Sequence, residues 1–295
     1  MAELTRRAVL RLAMGAAAGA AGAYTVGHAA TSAPSHATIG APSAPLAPAA
    51  PLAPPVAPAA APTMVTGSFA SAARGVTTTW AIARPPGQTI PLRPVIALHG
   101  KDSSAASVMA GGVEQGLAQA VDAGLPPFAV VAVDGGDSYW HRRASGEDAG
   151  AMVLDELIPL LDSQGLDTAR VAFLGWSMGG YGALLLGARL GPARTAAIAA
   201  VSPALWRSAG AAAPGAFDGP EDFAANSVFG LPALGSIPIR VDCGTSDPFY
   251  AATQDFVAQL PNPPAGGFSP GGHNASFWNA QLPAQLSWLA PLLTA

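Results

Sequence analysis

Gly175-Trp176-Ser177-Met178-Gly179-Gly180 stands between an apolar run ending at Leu174 and an Ala/Leu-rich run reaching Leu190. A serine at the tip of a sharp strand-to-helix turn has its hydroxyl lifted clear of the sheet, and glycines on either side let the two elements close on each other. The stretch therefore predicts a strand over Arg170–Leu174, a nucleophile elbow at Ser177 and a helix from Met178 to about Leu190. In a chain with 34 glycines, G-x-S-x-G alone arises by chance. The strand-turn-helix context is what gives it weight.

An elbow serine needs a base and an orienting acid, which in this architecture follow it in the chain in the order acid, then histidine. Ile237 to Cys243 reads as a buried strand, and the loop Gly244-Thr-Ser-Asp247-Pro248 places a carboxylate just past its end. Asp247 is thus the candidate acid, with Asp242, inside the strand, as the alternative. Pro270-Gly-Gly-His273 precedes a helical run from about Ser276 to Leu293, which makes His273 the candidate base. His99, at the end of the strand Pro94–Leu98, reads as a structural loop residue. His141 is a candidate to reach a substrate, and His28 and His36 fall outside any domain. The oxyanion of an acyl-transfer intermediate is held in such sites by the amide after the nucleophile, here Met178, and by one from an early loop. Leu98-His99-Gly100-Lys101-Asp102 supplies that loop, with the Lys101 amide as donor. The Lys101 side chain, from the only lysine in the chain, reads as a solvated charge. Tyr139 and Trp140 are expected at the substrate, because their loop leaves the C-terminal end of a strand.

Upstream, Thr66–Ala72 and Thr77–Ala83 alternate as antiparallel edge strands do. Pro94–Leu98, Phe128–Val133, Ala196–Val201 and Ile237–Val241 are apolar runs suited to parallel strands buried on both faces. Helical stretches lie near Ala105–Ala123 and Asp148–Leu161. The expected fold class is α/β, a doubly wound and mostly parallel sheet with antiparallel N-terminal edge strands and reactive groups at the strand C-terminal ends. Residues 202–236 break the alternation and read as a lid-like insertion, whose Trp206, Phe217, Phe223 and Phe229 either line an acyl pocket or simply pack.

Thr5-Arg6-Arg7-Ala8-Val9-Leu10 matches a twin-arginine export signal, followed by an Ala/Gly-rich segment to about Ala30. Residues 31–63 carry nine prolines and no charge, the composition of an extended tether or inert spacer. Residues 64–295 then make one catalytic domain. The expected location is secreted or in the cell envelope, with wall or membrane-surface association. The net charge of −4 argues against nucleic acid, and setting aside the first 30 residues, with three arginines and one glutamate, makes it more negative. One cysteine, Cys243, excludes an internal disulfide and a zinc site. Dispersed histidines and the lack of a G-x-G-x-x-G strand-turn-helix imply no metal and no cofactor.

Together, Leu98-His-Gly-Lys101, the loop Asp134-Gly-Gly-Asp-Ser-Tyr-Trp-His-Arg-Arg143, the elbow and Gly-Gly-His273-x-x-x-x-Trp278 resemble the putative-esterase group of the α/β-hydrolase fold. That group includes esterase D (S-formylglutathione hydrolase) and the antigen 85 mycolyltransferases. The resemblance spans about Val65 to the C-terminus and implies Ser177, Asp247 and His273 as a catalytic triad, with the Lys101 and Met178 amides as oxyanion hole. The His99-Gly100 turn and an aspartate acid depart from the antigen 85 pattern. The expected function is a secreted serine carboxylic-ester hydrolase acting on a small-molecule or lipid ester through an acyl-enzyme. The alternatives are an acyltransferase passing the acyl group to a sugar or other alcohol, and a non-catalytic wall-associated binding module.

Overall fold

The computed structural model describes residues 63–88 and 90–294. The expected signal segment, and all of the expected tether but Thr63, lie outside them. Among the described residues no helix is long and apolar enough to cross a membrane.

Among the described residues eight strands form one sheet: β1 (Met64–Ser71), β2 (Val76–Ala83), β3 (Pro94–Leu98), β4 (Ala129–Val133), β5 (Val171–Trp176), β6 (Thr195–Val201), β7 (Ile239–Gly244) and β8 (Ala265–Ser269). Their spatial order is β1-β2-β4-β3-β5-β6-β7-β8. The pairs β1/β2 and β2/β4 are antiparallel and every other pair is parallel, as the alternating and then continuous apolar patterns predict. β8 has no counterpart in the sequence reading. Its Ala-Gly-Gly-Phe-Ser run lacks the β-branched residues that signal a strand, and it forms by pairing along β7.

Alternation within the buried strands builds two cores. Ile96, Leu98, Val131, Val133 and Phe173 face one layer, where Met152, Leu157, Leu184 and Phe256 meet them. Val95, Ala97, Val130, Ala132, Leu174 and Trp176 face the other, against Leu117, Phe277, Leu286 and Leu289. Successive side chains of a strand point to opposite faces, so runs apolar at every position must be covered twice. The second layer is built from α1 (Ala105–Ala110), α2 (Val113–Asp122) and α8 (Ala275–Thr294). The expected single helix over Ala105–Ala123 is two helices because Gly111-Gly112 interrupts it, with Gly112 at φ 97°. On the first face lie α3 (Ala149–Ala151) and α4 (Ile158–Ser163), joined through a π-helical turn at Met152–Leu157, then α5 (Met178–Leu190) and α7 (Tyr250–Gln259).

Residues 202–236 carry a short helix, α6 (Pro220–Asn226), and are tied to the body. The Arg143 guanidinium and the Ala144 amide both donate to the Asp218 carboxylate. The Tyr181 hydroxyl donates to the Asn226 carbonyl at 2.8 Å. The aromatic residues of the segment pack on one another and on Tyr139 and His141, leaving a void of only about 10 Å³. Of the two expected readings of Trp206, Phe217, Phe223 and Phe229, the geometry is that of packing.

Candidate active site

β5 runs two residues beyond its expected end, delivering the chain directly to Ser177, which sits at φ 55° and ψ −118° just before α5. A β-carbon on Gly175 would lie 2.0 Å from the Gly179 carbonyl oxygen, so the turn closes only without a side chain there. All five non-glycine residues with positive φ among the described residues, namely Asp102, Tyr139, Trp140, Ser177 and Ser202, lie in the loops that follow β3, β4, β5 and β6. Such backbone costs about 1–3 kcal/mol per residue and persists where surrounding structure over-determines it. Here it gathers at one end of the sheet.

His273 joins the two other expected residues. Its Nε2 lies 2.8 Å from Ser177 Oγ and its Nδ1 lies 2.8 Å from Asp247 Oδ2. The second Asp247 oxygen accepts the Phe249 amide at 2.8 Å. Burial opposes the charge on Asp247, yet the hydrogen bonds from His273 and from Phe249 outweigh it and hold the carboxyl below the usual range. The His273 ring is flanked edge-on by Phe249 and Trp278, at centroid distances of 5.2 and 5.0 Å. Asp242 is engaged elsewhere. Arg240 donates to both its oxygens, at 2.8 and 2.9 Å, and Gln285 of α8 donates at 3.0 Å. Asp247, not Asp242, faces the histidine, because β7 carries Asp242 into the helix layer and releases the chain only at Gly244.

The Lys101 amide, after β3, meets no protein acceptor among the described residues. The neighbouring Asp102 amide donates to Asp137 at 2.8 Å, tying this loop to the one after β4. The Lys101 side chain is exposed and pairs with Asp102 at 3.1 Å, as a solvated charge does.

The residues expected to touch substrate lie deeper. Trp140 is 1% exposed, with Gly135 and Gly182 so close that a β-carbon on either would strike its ring. It is a core side chain, because those glycines open a slot beneath the loop. Tyr139, 4% exposed, packs on Tyr181, Trp206 and Phe217. His141 is fully buried, stacks on Phe217 at 5.3 Å and approaches the Ala216 carbonyl at 3.1 Å. None of the three lines the cavity at Ser177.

That cavity, about 400 Å³, is walled instead by residues of the other core layer. Val108, Ala110, Trp176, Trp278 and Leu282 give it an apolar wall, and Ser103, Ser107 and Asn279 add polar groups. Among the described residues Lys101 is the one charged side chain lining it. The sequence reading missed this wall: its residues come from α1, β5 and α8, and only the placement of Trp278 five positions after His273 hinted at it. A second cavity, about 410 Å³, lies at the N-terminal ends of β7 and β8 and has no titratable lining residue among the described residues. Among the described residues no group of His, Cys, Asp or Glu could hold a metal. Burial pushes the Cys243 thiol up to about 12, which leaves it unreactive.

The family described as Putative esterase matches residues 71–289. The chain belongs to the putative esterase family. This esterase matches no curated protein sequence, but solved structures share its fold. A ferulic acid esterase is 19% identical, with a TM-score of 0.66 over 78% of this chain and 97% of its own. An S-formylglutathione hydrolase from Agrobacterium tumefaciens is 19% identical, with a TM-score of 0.60 over 78% and 95%. MPT51 of Mycobacterium tuberculosis is 18% identical, with a TM-score of 0.62 over 79% and 100%. The esterase therefore has the α/β-hydrolase fold and is an enzyme of the carboxylesterase type.

Proposed function

We propose that this esterase is an exported serine carboxylic-ester hydrolase working through an acyl-enzyme on Ser177. The observation that carries the reading is His273 bridging Ser177 and Asp247 at 2.8 Å on each side. His273 takes the Ser177 proton as Oγ attacks the ester carbonyl, and Asp247 holds the imidazole tautomer and steadies its positive charge. The Lys101 and Met178 amides receive the oxyanion. Collapse of the intermediate expels the alcohol, which takes its proton from His273. Water then attacks the acyl carbon with His273 again as base. The ring is 22% exposed, so water has access to it.

The cavity of about 400 Å³ is within the range of roughly 300–1,000 Å³ usual for small-molecule sites, and its wall suits the apolar part of an uncharged ester. Export rests on Arg6-Arg7 and the charge-free stretch between Arg11 and Arg74, with residues 64–295 as the catalytic domain.

Active-site labelling with a fluorophosphonate, comparing the wild type with Ser177→Ala, tests the reading. Labelling that disappears with Ser177, together with p-nitrophenyl ester hydrolysis that disappears likewise, is the expected result. A folded wild type that is not labelled would favour the binding module. Acylated alcohol appearing when an acceptor is added would favour the transferase.

A further inference from the structure

His99 is 1% exposed and takes no part in the proton transfers above, yet its two ring nitrogens have unequal partners. The Gly135 amide lies 2.9 Å from Nε2. A backbone N–H can only donate, so Nε2 carries a lone pair. Nδ1 lies 2.7 Å from the Gly100 carbonyl oxygen, which can only accept, so Nδ1 carries the proton. The two contacts together specify one neutral tautomer.

The Gly100 carbonyl and the Lys101 N–H belong to the same peptide unit. No peptide bond among the described residues is cis, so within this planar unit the C=O and N–H point in opposite directions. Anchoring the oxygen on His99 therefore aims the hydrogen away from His99, and that N–H meets no protein acceptor among the described residues. His99 is itself held by Gly135 and by the edge of Trp140, at a centroid distance of 5.0 Å. From this geometry we infer that His99 is a positioning residue of the oxyanion hole, which acts by clamping the Gly100–Lys101 peptide plane through its Nδ1–H. The inference rests on the acyl-enzyme reading of Ser177. It also accounts for a buried histidine in place of an apolar residue. Burial lowers the basicity of the ring and keeps it neutral, whereas a second ring proton would face the Gly135 N–H.

Two substitutions separate the contacts. In His99→Asn the amide nitrogen stands where Nδ1 stands and preserves the donor to Gly100. In His99→Gln the amide oxygen reaches the position of Nε2 and preserves the acceptor for Gly135, but the donor to Gly100 is lost. Removing one oxyanion donor costs about 10²–10³ in kcat, and a misaimed one should cost a large part of that. We expect His99→Gln to lower kcat about 100-fold with little change in KM, and His99→Asn to lower it about tenfold or less. The wild type provides a direct readout too, because Lys101 is the only lysine. Protein labelled with ¹⁵N-lysine has a single backbone amide resonance, that of the candidate donor. It should move when a fluorophosphonate adduct forms on the wild type, and that movement should shrink in His99→Gln. Imidazole ¹⁵N shifts of the wild type, which need no variant to fold, should report the Nδ1–H tautomer at His99.

Equal kcat losses in the two variants, tracking their losses in Tm, would reduce His99 to a structural role. Wild-type kcat in folded His99→Gln, or an Nε2–H tautomer, would overturn the proposal as well. A wild type that is not labelled at Ser177 would instead overturn the acyl-enzyme reading, so the two failures are told apart.

Discussion

Gly179 lies against the Leu98 carbonyl so closely that a β-carbon on it would stand 1.9 Å from the oxygen. The contact joins the start of α5 to the end of β3, and so joins the elbow to the oxyanion loop. Gly179→Ala must separate them. Overpacking of this kind costs about 1–3 kcal/mol or more, and a shift of about 1 Å between reacting groups costs on the order of 10² in rate. Loss of kcat/KM by that factor together with a lower Tm is expected. Gly210→Ala is the control, because no described residue lies within 4 Å of a β-carbon there, and it should leave both unchanged.

Asp247→Asn and Asp242→Asn should fail in different ways. The first removes the charge that supports His273 and should lower kcat by roughly 10⁴ with the fold retained. The second strips a buried, bidentate partner from Arg240 and should cost roughly 3 kcal/mol of stability, while the folded fraction keeps its turnover. Denaturant melts alongside kinetics decide it, and the reverse pattern would make Asp242 the acid.

The attachment of residues 202–236 should weaken in acid. The hydrogen bond from Arg143 lowers the Asp218 carboxyl from its ordinary 3.8 to about 2. A group whose folded value is depressed contributes stability that is present above the unfolded value and is lost as pH falls through the folded one. Solvent around this pair trims the effect. Hydrogen exchange or limited proteolysis of the segment should therefore rise between pH 4 and about 2, and Asp218→Asn should show the higher rate already at neutral pH. A pH-independent difference between the two proteins would contradict this.

Val108, on α1, faces the cavity beside Ser177. Enlarging it to tryptophan should fill that space and leave the triad untouched. Since each methylene of a bound chain is worth about 1–3 kcal/mol in discrimination, the preference for hexanoyl over acetyl p-nitrophenyl esters should fall at least about tenfold. An unchanged ratio would place the acyl chain elsewhere.

The sequence alone determined the elements whose signal is local. The elbow is written in the glycines around Ser177, the double burial of the central strands in their unbroken apolar runs, and the order serine, aspartate, histidine in the chain itself. These depend on sterics and periodicity within a few residues, so they are legible before folding. Long-range packing settled what depends on residues distant in the chain. It brought Asp247 and His273, 26 positions apart, to 2.8 Å, and occupied Asp242 with Arg240 and Gln285. It drew Trp140 into a slot between glycines, pinned residues 202–236 through Asp218, and opened the cavity between α1 and α8 instead. A side chain's neighbours across a sheet are set by strand order and register, and no local pattern encodes those.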